Sequence, residues 1–348
     1  MMLKIISLLF CLVLPSLYAH ADREITDQLG RKVIIPDRVD RIVVLQHQTL
    51  NLLVQLGATD KIVGVLNNWR EQLGADYERL APSLATVPAP GDLTHVDPEA
   101  LVALHPQVVF VANYAPRSMI ERLQHLGIPT IAISLRSGKA EQLAKLNPTL
   151  EDENKAYDEG LKAGIRLIGT VVNRPQQAEE LITAAFSQRE LIQARLRDIP
   201  DSQRVRVYIA NPELTTYGSG KYTGLMMAHA GAVNVAAATV LGYKQVSMEQ
   251  VVAWNPQVIL IQNRYPQVVN EIKTQPVWQV IDAVQHQRVW LMPEYAKAWG
   301  YPMPEAMGLG ELWLAKKLYP AKFQDIDMQQ QADRWYMRFY HTHYRGDN

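Results

Sequence analysis

The sequence predicts an α/β protein made of two doubly wound lobes joined by one long rigid helix. Three observations predict it. One stretch of sequence recurs without a gap, continuous apolar runs alternate with helical patterns around both copies, and a proline-bounded run of helix formers lies between them. A chain of 348 residues is also longer than one ordinary domain.

Residues 1–21 read as an export leader. Lys4 gives a small basic start, Ile5 to Leu14 an apolar stretch, and Ala19-His20-Ala21 a small-x-small site, so cleavage is expected after Ala21. The stretch is too short to span a bilayer, and no other apolar run is long enough. The single cysteine, Cys11, lies inside it and follows Phe10, not the small residue that lipid attachment needs. The exported chain is expected to be thiol-free and without disulfides. The full sequence has 35 basic and 35 acidic side chains, and the leader removes only Lys4, so near-neutral charge leaves no electrostatic case for nucleic acid or a membrane surface as partner.

The first lobe is placed at 22–170. Its strand candidates are RIVVL before Gln46, KIVGV before Leu66, VVFVA at 108–112 and TIAIS from Thr130. The second lobe, at 201–348, offers RVRVYIA before Asn211, VILI at 258–261 and RVWLM before Pro293. Such runs read as strands buried on both faces of a parallel sheet, and the helical patterns between them argue for doubly wound, Rossmann-like lobes.

The repeat sits at equivalent places. HVDPEALVALHPQVVFVANY from His95 is echoed by QVSMEQVVAWNPQVILIQNRY from Gln245, matching Glu99 with Glu249, Pro106 with Pro256, Gln107 with Gln257 and Asn113 with Asn263. In each copy an N-cap signal opens a short helix: Asp97 before Pro98, and Ser247 with Gln250 as a capping box. Each helix stops before a proline, at His105 or Asn255. A weaker match, LLVQLGA ending at Ala58 and LMMAHAGA ending at Ala232, closes a helix with glycine in both lobes.

The connection is placed at 171–200. There Ala178, Leu181, Ile182, Ala185, Phe186, Ile192 and Leu196 keep a helical period. One stiff helix of about 35 Å is expected, at ~1.5 Å per residue. A flexible linker would be rich in glycine and serine, unlike this segment.

The start REITDQLGRKVIIPDRVDRIVVL, the LGATDKIVGV turn, VDPEALVALHPQVVFV, AGAVNVAAA, VSMEQVVAWNPQVILI and LGELWLAKKLYPAKF, in this order, resemble helical-backbone periplasmic substrate-binding proteins of ABC importers. That family serves ferric siderophores, haem, cobalamin and related metal-containing ligands. VVLQHQT, TYGSGKYTG and MPEYAKAWGYP look most like its molybdate- and tungstate-binding branch. The resemblance implies a monomeric periplasmic receptor. It also implies as partners a dimeric ABC permease and, through it, an ATPase, docked by one surface glutamate per lobe. Carried over, these are Glu99 and Glu249; the competing reading is that each acid merely meets the macrodipole in a first helical turn.

Ligands of doubly wound sheets sit beyond the carboxyl ends of the strands. A cleft between facing lobes is therefore expected to be lined by His47, Gln48, Asn68, Trp69 and Tyr114 from the first, and by Tyr217, Ser219, Tyr222, Arg264 and Trp299 from the second. Acids are few, with Glu71, Glu213 and Glu294 nearby, and no ligand-spaced histidine cluster suits a bare divalent cation. The set suits an anion or an anionic chelate. Arg264 supplies permanent planar donors, and Gly218-Ser219-Gly220 ahead of a helix is expected to offer backbone N–H groups. His47 reads as a ligand contact or metal donor, or else as a helix-capping or merely exposed histidine; Trp69, Trp299 and Tyr301 read as core or as lids over a flat chelate. The expected ligand is a molybdate- or tungstate-type oxyanion or a ferric siderophore, with haem and cobalamin left open and no cofactor implied.

No catalytic residues emerge. GSGKYT lacks the upstream glycine of a P-loop and has Tyr222 where Ser or Thr belongs. There is no HExxH, no CxxC and no nucleophile elbow. An exported metal-cofactor enzyme of chelatase-like architecture is the competing class, and it would need the cysteines or clustered acids and histidines that are missing.

Overall fold

The computed structural model describes residues 22–346; the leader, Cys11 and the cleavage site after Ala21 lie outside the described residues. An antiparallel ribbon opens the described chain, β1 (Asp22–Thr26) with β2 (Lys32–Pro36), where Val33 and Ile35 alternate inward. A parallel sheet follows from β3 (Ile42–Val44), β4 (Ile62–Val65), β5 (Val108–Ala112) and β6 (Thr130–Ile133), in the order β4-β3-β5-β6. The second half adds β7 (Val205–Ala210), β8 (Thr215–Tyr217), β9 (Ala232–Asn234), β10 (Tyr243–Gln245), β11 (Val258–Ile261) and β12 (Val289–Leu291). Its parallel sheet runs β9-β7-β11-β12, the same winding as the first, while β8 and β10 pair antiparallel beside it. All seven apolar runs are strands of the two parallel sheets.

The echo has a structural cause. In both copies a short helix, Pro98–Ala103 or Met248–Trp254, is capped as its sequence dictates: Asp97 accepts from Glu99 and Ala100 N–H groups, and Ser247 with Gln250 forms the reciprocal box. His105 and Asn255 then turn left-handed, at φ 45° and 41°, because the following proline disfavours a further right-handed helical residue. The matched glutamines clamp the next strand: Gln107 Oε1 accepts from the Asp40 and Arg41 N–H groups, and Gln257 Oε1 from that of Arg206. Arg41 and Arg206 return the bond to the carbonyls that end each helix.

The weaker match also holds. The helices His47–Gln55 and Tyr222–His229 end at Gly57 and Gly231, both left-handed (φ 67° and 80°), ahead of the equivalent edge strands β4 and β9.

Strand alternation sorts the core. Val108 and Phe110 of β5 and Val258 and Leu260 of β11 point into one continuous apolar core that includes residues of both halves. Val109 and Val111 face a separate cluster under Leu101, Met119 and Leu123, and Ile259 and Ile261 face another under Val251 and Ile272.

The connection differs from expectation. The stretch 171–200 contains two helices, Pro175–Phe186 and Arg189–Leu196. They part where the Ser187 hydroxyl donates back to the Ala184 carbonyl at 2.8 Å, a local bond that competes with helix continuation. The longest helix lies just before, Glu153–Val171, capped by Asp152 and with Tyr157, Leu161, Ile165 and Ile168 buried in the shared core. It touches both halves. Gly160 lies against the Arg136 backbone, while Tyr157 OH donates to the Gly220 carbonyl at 2.8 Å and Glu153 accepts from the Gly220 N–H at 2.7 Å. Its register was obscured by the polar run ENKAYDEGLKAG, whose two glycines are needed for close packing.

Candidate functional site

The first half contributes the helix His47–Gln55, which starts directly after β3 and is buried along its whole length. Three polar residues four apart share one of its faces. His47 meets Trp299 edge-on, with ring centroids 5.3 Å apart. Asn51 Nδ2 and Gln55 Nε2 each donate to the buried Glu305 carboxylate at 2.9 Å. Tyr340 OH, just past the last helix, Met328–Phe339, completes that shell at 2.8 Å and also bonds Asn51 Oδ1 of the first half at 2.8 Å.

The second half contributes the loops after β11 and β12. Arg264 is partly buried. Its Nε donates to Gln262 Oε1 at 2.9 Å and its Nη1 to the Gln72 carbonyl at 3.0 Å, which crosses to the first half. Among the described residues Arg264 has no carboxylate partner in an ion pair. Its guanidinium carbon stands 5.6 Å from the Trp299 ring and 5.0 Å from that of Tyr265. Burial, and next the Arg264 charge, hold the His47 imidazole well below its ordinary value, so the ring is neutral at pH 7.

Three buried polar atoms that meet at the Trp299 ring lack hydrogen-bond partners, His47 Nδ1, Lys297 Nζ and Trp299 Nε1 itself, and so do Gln48 Oε1 and Asn68 Oδ1 of the expected lining. Buried polar groups are nearly always satisfied, so such a concentration of orphans marks a place where something else bonds. Tyr217 belongs to the same neighbourhood: it is buried, stacked on Tyr243 at 4.8 Å, and packed against Gly300 just after Trp299. Tyr114 lies near Tyr301 and Tyr217, and burial raises its hydroxyl above the ordinary range.

Other expected lining residues serve elsewhere. The glycine-rich loop offers no free nest: the N–H groups of Gly218, Ser219 and Gly220 bond to the Gly242 carbonyl, the Val240 carbonyl and Glu153. The Ser219 hydroxyl also turns to the Val240 carbonyl. Glu153 stands where an anion would have to sit. Tyr222 is fully buried and donates to Glu311 Oε1 at 2.7 Å, in a network with His229 and Arg189. Trp69 is core, 2 % exposed, with Arg70 stacked over it at 4.3 Å. Asn113 bonds to the Leu143 and Lys145 carbonyls and to Tyr301 OH.

Sequence reasoning missed Lys297 and Glu305. The three-fold polar spacing His47, Asn51, Gln55 within an apolar helix was the available signal, since a polar stripe on a buried helix requires a polar partner.

The model of the family described as periplasmic binding protein matches residues 42–296, from β3 through both sheets to the loop after β12. The chain belongs to that family. The molybdate-binding protein MolA of Haemophilus influenzae is 58% identical over 348 residues, spanning 99% of this chain and 99% of that protein. Its molybdate-bound structure superposes with a TM-score of 0.93 at 59% identity, covering 94% of this chain and all of MolA's solved chain. A periplasmic solute-binding protein from Veillonella parvula follows at TM-score 0.73 and 25% identity, covering 93% and 94%. The family likeness identifies a binding protein, not an enzyme, and places it in the periplasm. No helix among the described residues is long and apolar enough to cross a membrane.

Proposed function

We propose that this protein is the receptor of an ABC importer and captures a tetrahedral oxyanion of the molybdate and tungstate type. The observation that carries the reading is the convergence at Trp299 of an indole Nε1 and a His47 Nδ1 without hydrogen-bond partners and the guanidinium of Arg264, which has no carboxylate partner among the described residues. An oxyanion accepts from all three, with Gln48, Asn68, Tyr114 and Tyr217 as the surrounding wall. Likeness to a molybdate-binding relative over the whole chain supports the same ligand class. A flat chelate such as haem, or a bulky ferric siderophore, fits less well, because Trp299, Tyr301 and Tyr217 are 4 %, 2 % and 6 % exposed and pack against other rings or loops instead of forming an open platform.

In this reading the chain is a monomer exported by cleavage after Ala21, and its two sheets belong to lobes that tilt about the helix Glu153–Val171. Glu99 and Glu249 dock it on the permease dimer. Both are exposed, each in the first turn of one copy of the repeated helix, and a pseudo-twofold pair of anions suits a twofold permease. Titration calorimetry with molybdate, tungstate, haem and a ferric siderophore tests the ligand. Saturable heat with the oxyanions alone is expected, and binding of haem or siderophore without oxyanion binding would reverse the assignment.

A further inference from the structure

Lys297 is one of three buried lysines among the described residues, with Lys61 and Lys221. Lys61 donates to Asp40 and the Val39 carbonyl, and Lys221 to the Leu146 carbonyl. Lys297 Nζ, 1 % exposed as a residue, makes no hydrogen bond. Its nearest carboxylate oxygen, Glu305 Oε1, is 3.8 Å away, and that carboxylate is already bonded by Asn51, Gln55 and Tyr340. An ammonium left with unused N–H donors in so dry a place is costly. The backbone adds a second oddity: Lys297 is left-handed at φ 43°, ψ 50°, a conformation uncommon for any residue except glycine, asparagine and aspartate. Strain of this kind persists where the surroundings demand a particular aim. Here it sends the side chain to the Trp299 ring, 5.0 Å from Nζ, with Tyr77 at 5.4 Å.

A packing role alone would be met by methionine, without the charge. A cation–π role is already filled on the same indole by Arg264 at 5.6 Å. Two cations and an orphan indole N–H around one ring, with the nearby Glu305 carboxylate already bonded by three other donors, favour the more highly charged of two like-shaped anions. We propose that Lys297 is the second cation of the oxyanion site and selects doubly charged tetrahedral oxyanions over singly charged ones of the same shape. Glu305 holds the lysine in place without consuming its donors. The proposal rests on the oxyanion-receptor reading above.

Tungstate and perrhenate give the test, since both are tetrahedral oxyanions of nearly equal size but differ by one charge. Affinities are measured by calorimetry for the parent protein, Lys297→Met, and the charge-balanced double variant Lys297→Met with Glu305→Gln, which covers the case in which the single variant does not fold. The parent is expected to prefer tungstate strongly. Each folded variant is expected to lose at least about tenfold in tungstate affinity while perrhenate binding changes little, so the preference collapses. Equal losses for both ions, or no loss for either, would overturn the role of Lys297 and leave the receptor reading standing. A parent protein that binds neither ion would overturn the receptor reading itself.

Discussion

Arg264, which follows β11, donates to the main-chain carbonyl of Gln72 in the opposite half at 3.0 Å. In the proposed role, the charge offered to an anion would be held by the backbone of the half it does not belong to, so that binding and approach of the two halves would share one side chain.

Arg264→Ala should therefore weaken molybdate binding without unfolding the protein. A charge-assisted hydrogen bond is worth about 1.5–3 kcal/mol, so a loss of about tenfold or more is expected. Calorimetry gives the affinity and far-ultraviolet dichroism the fold; unchanged affinity would take Arg264 out of the site. Arg264→Lys should recover only part, because an ammonium cannot reach Gln262, Gln72 and a ligand at once.

His47 makes stability depend on pH. An imidazole in the unfolded chain titrates near 6.5, and the folded one lies well below that value. Between the two values the unfolded chain holds a proton that the folded chain does not, so this contribution is complete above the unfolded value and is lost as pH falls from there through the lower folded value. Thermal midpoints at pH 5, 6 and 7 should fall less steeply for His47→Gln than for the parent. Parallel profiles would show that His47 is not the source.

Uptake should separate from binding at the repeated helices. With Glu99→Ala and Glu249→Ala combined, affinity in solution should match the parent, since both residues are exposed and outside the Trp299 cluster. Transport into vesicles carrying the cognate permease should be lost. Normal transport would leave the two acids as helix-end charges only.

Gly160→Ala sets propensity against packing. In an open helix the change gains about 1 kcal/mol. Here an added Cβ would lie 1.9 Å from the Arg136 Cα, and that backbone is fixed at the end of β6. Overpacking should win by about 2 kcal/mol or more, read as a lower midpoint in urea; a raised midpoint would mean that the helix can slide.

The sequence made the strands and the repeat legible because both depend on short-range pattern. VVFVA and VILI are apolar at every position, and capping residues stand beside the helices they cap. The three-residue strand β9 and the ribbon β8–β10 were not legible, since AVN and YKQ carry no period. The stretch 175–196 has the cleaner amphipathic period but is two helices, while Glu153–Val171, glycine-containing and polar at its start, is one long helix with contacts to both halves. His47, Arg264 and Trp299 stand out in the sequence by their places after strands, and the structure brings them to one ring. Lys297 does not stand out, because its importance comes from what it fails to bond, and that is a property of three-dimensional neighbours. Tyr222 and Ser219 show the converse: Glu311 and the Val240 carbonyl take up their hydroxyl donors, which no local pattern reveals.

The apolar core that takes in both sheets has a consequence for how the molecule comes apart. Val108 and Val258 belong to one cluster, sealed by the helix Glu153–Val171 and by the last helix, which bonds back to Asn51 and Gln55. Neither sheet can lose its inner face without exposing the other. Melting should be one cooperative event, with a single calorimetric peak, and a gene cut near residue 200 should yield two fragments that fold only when expressed together.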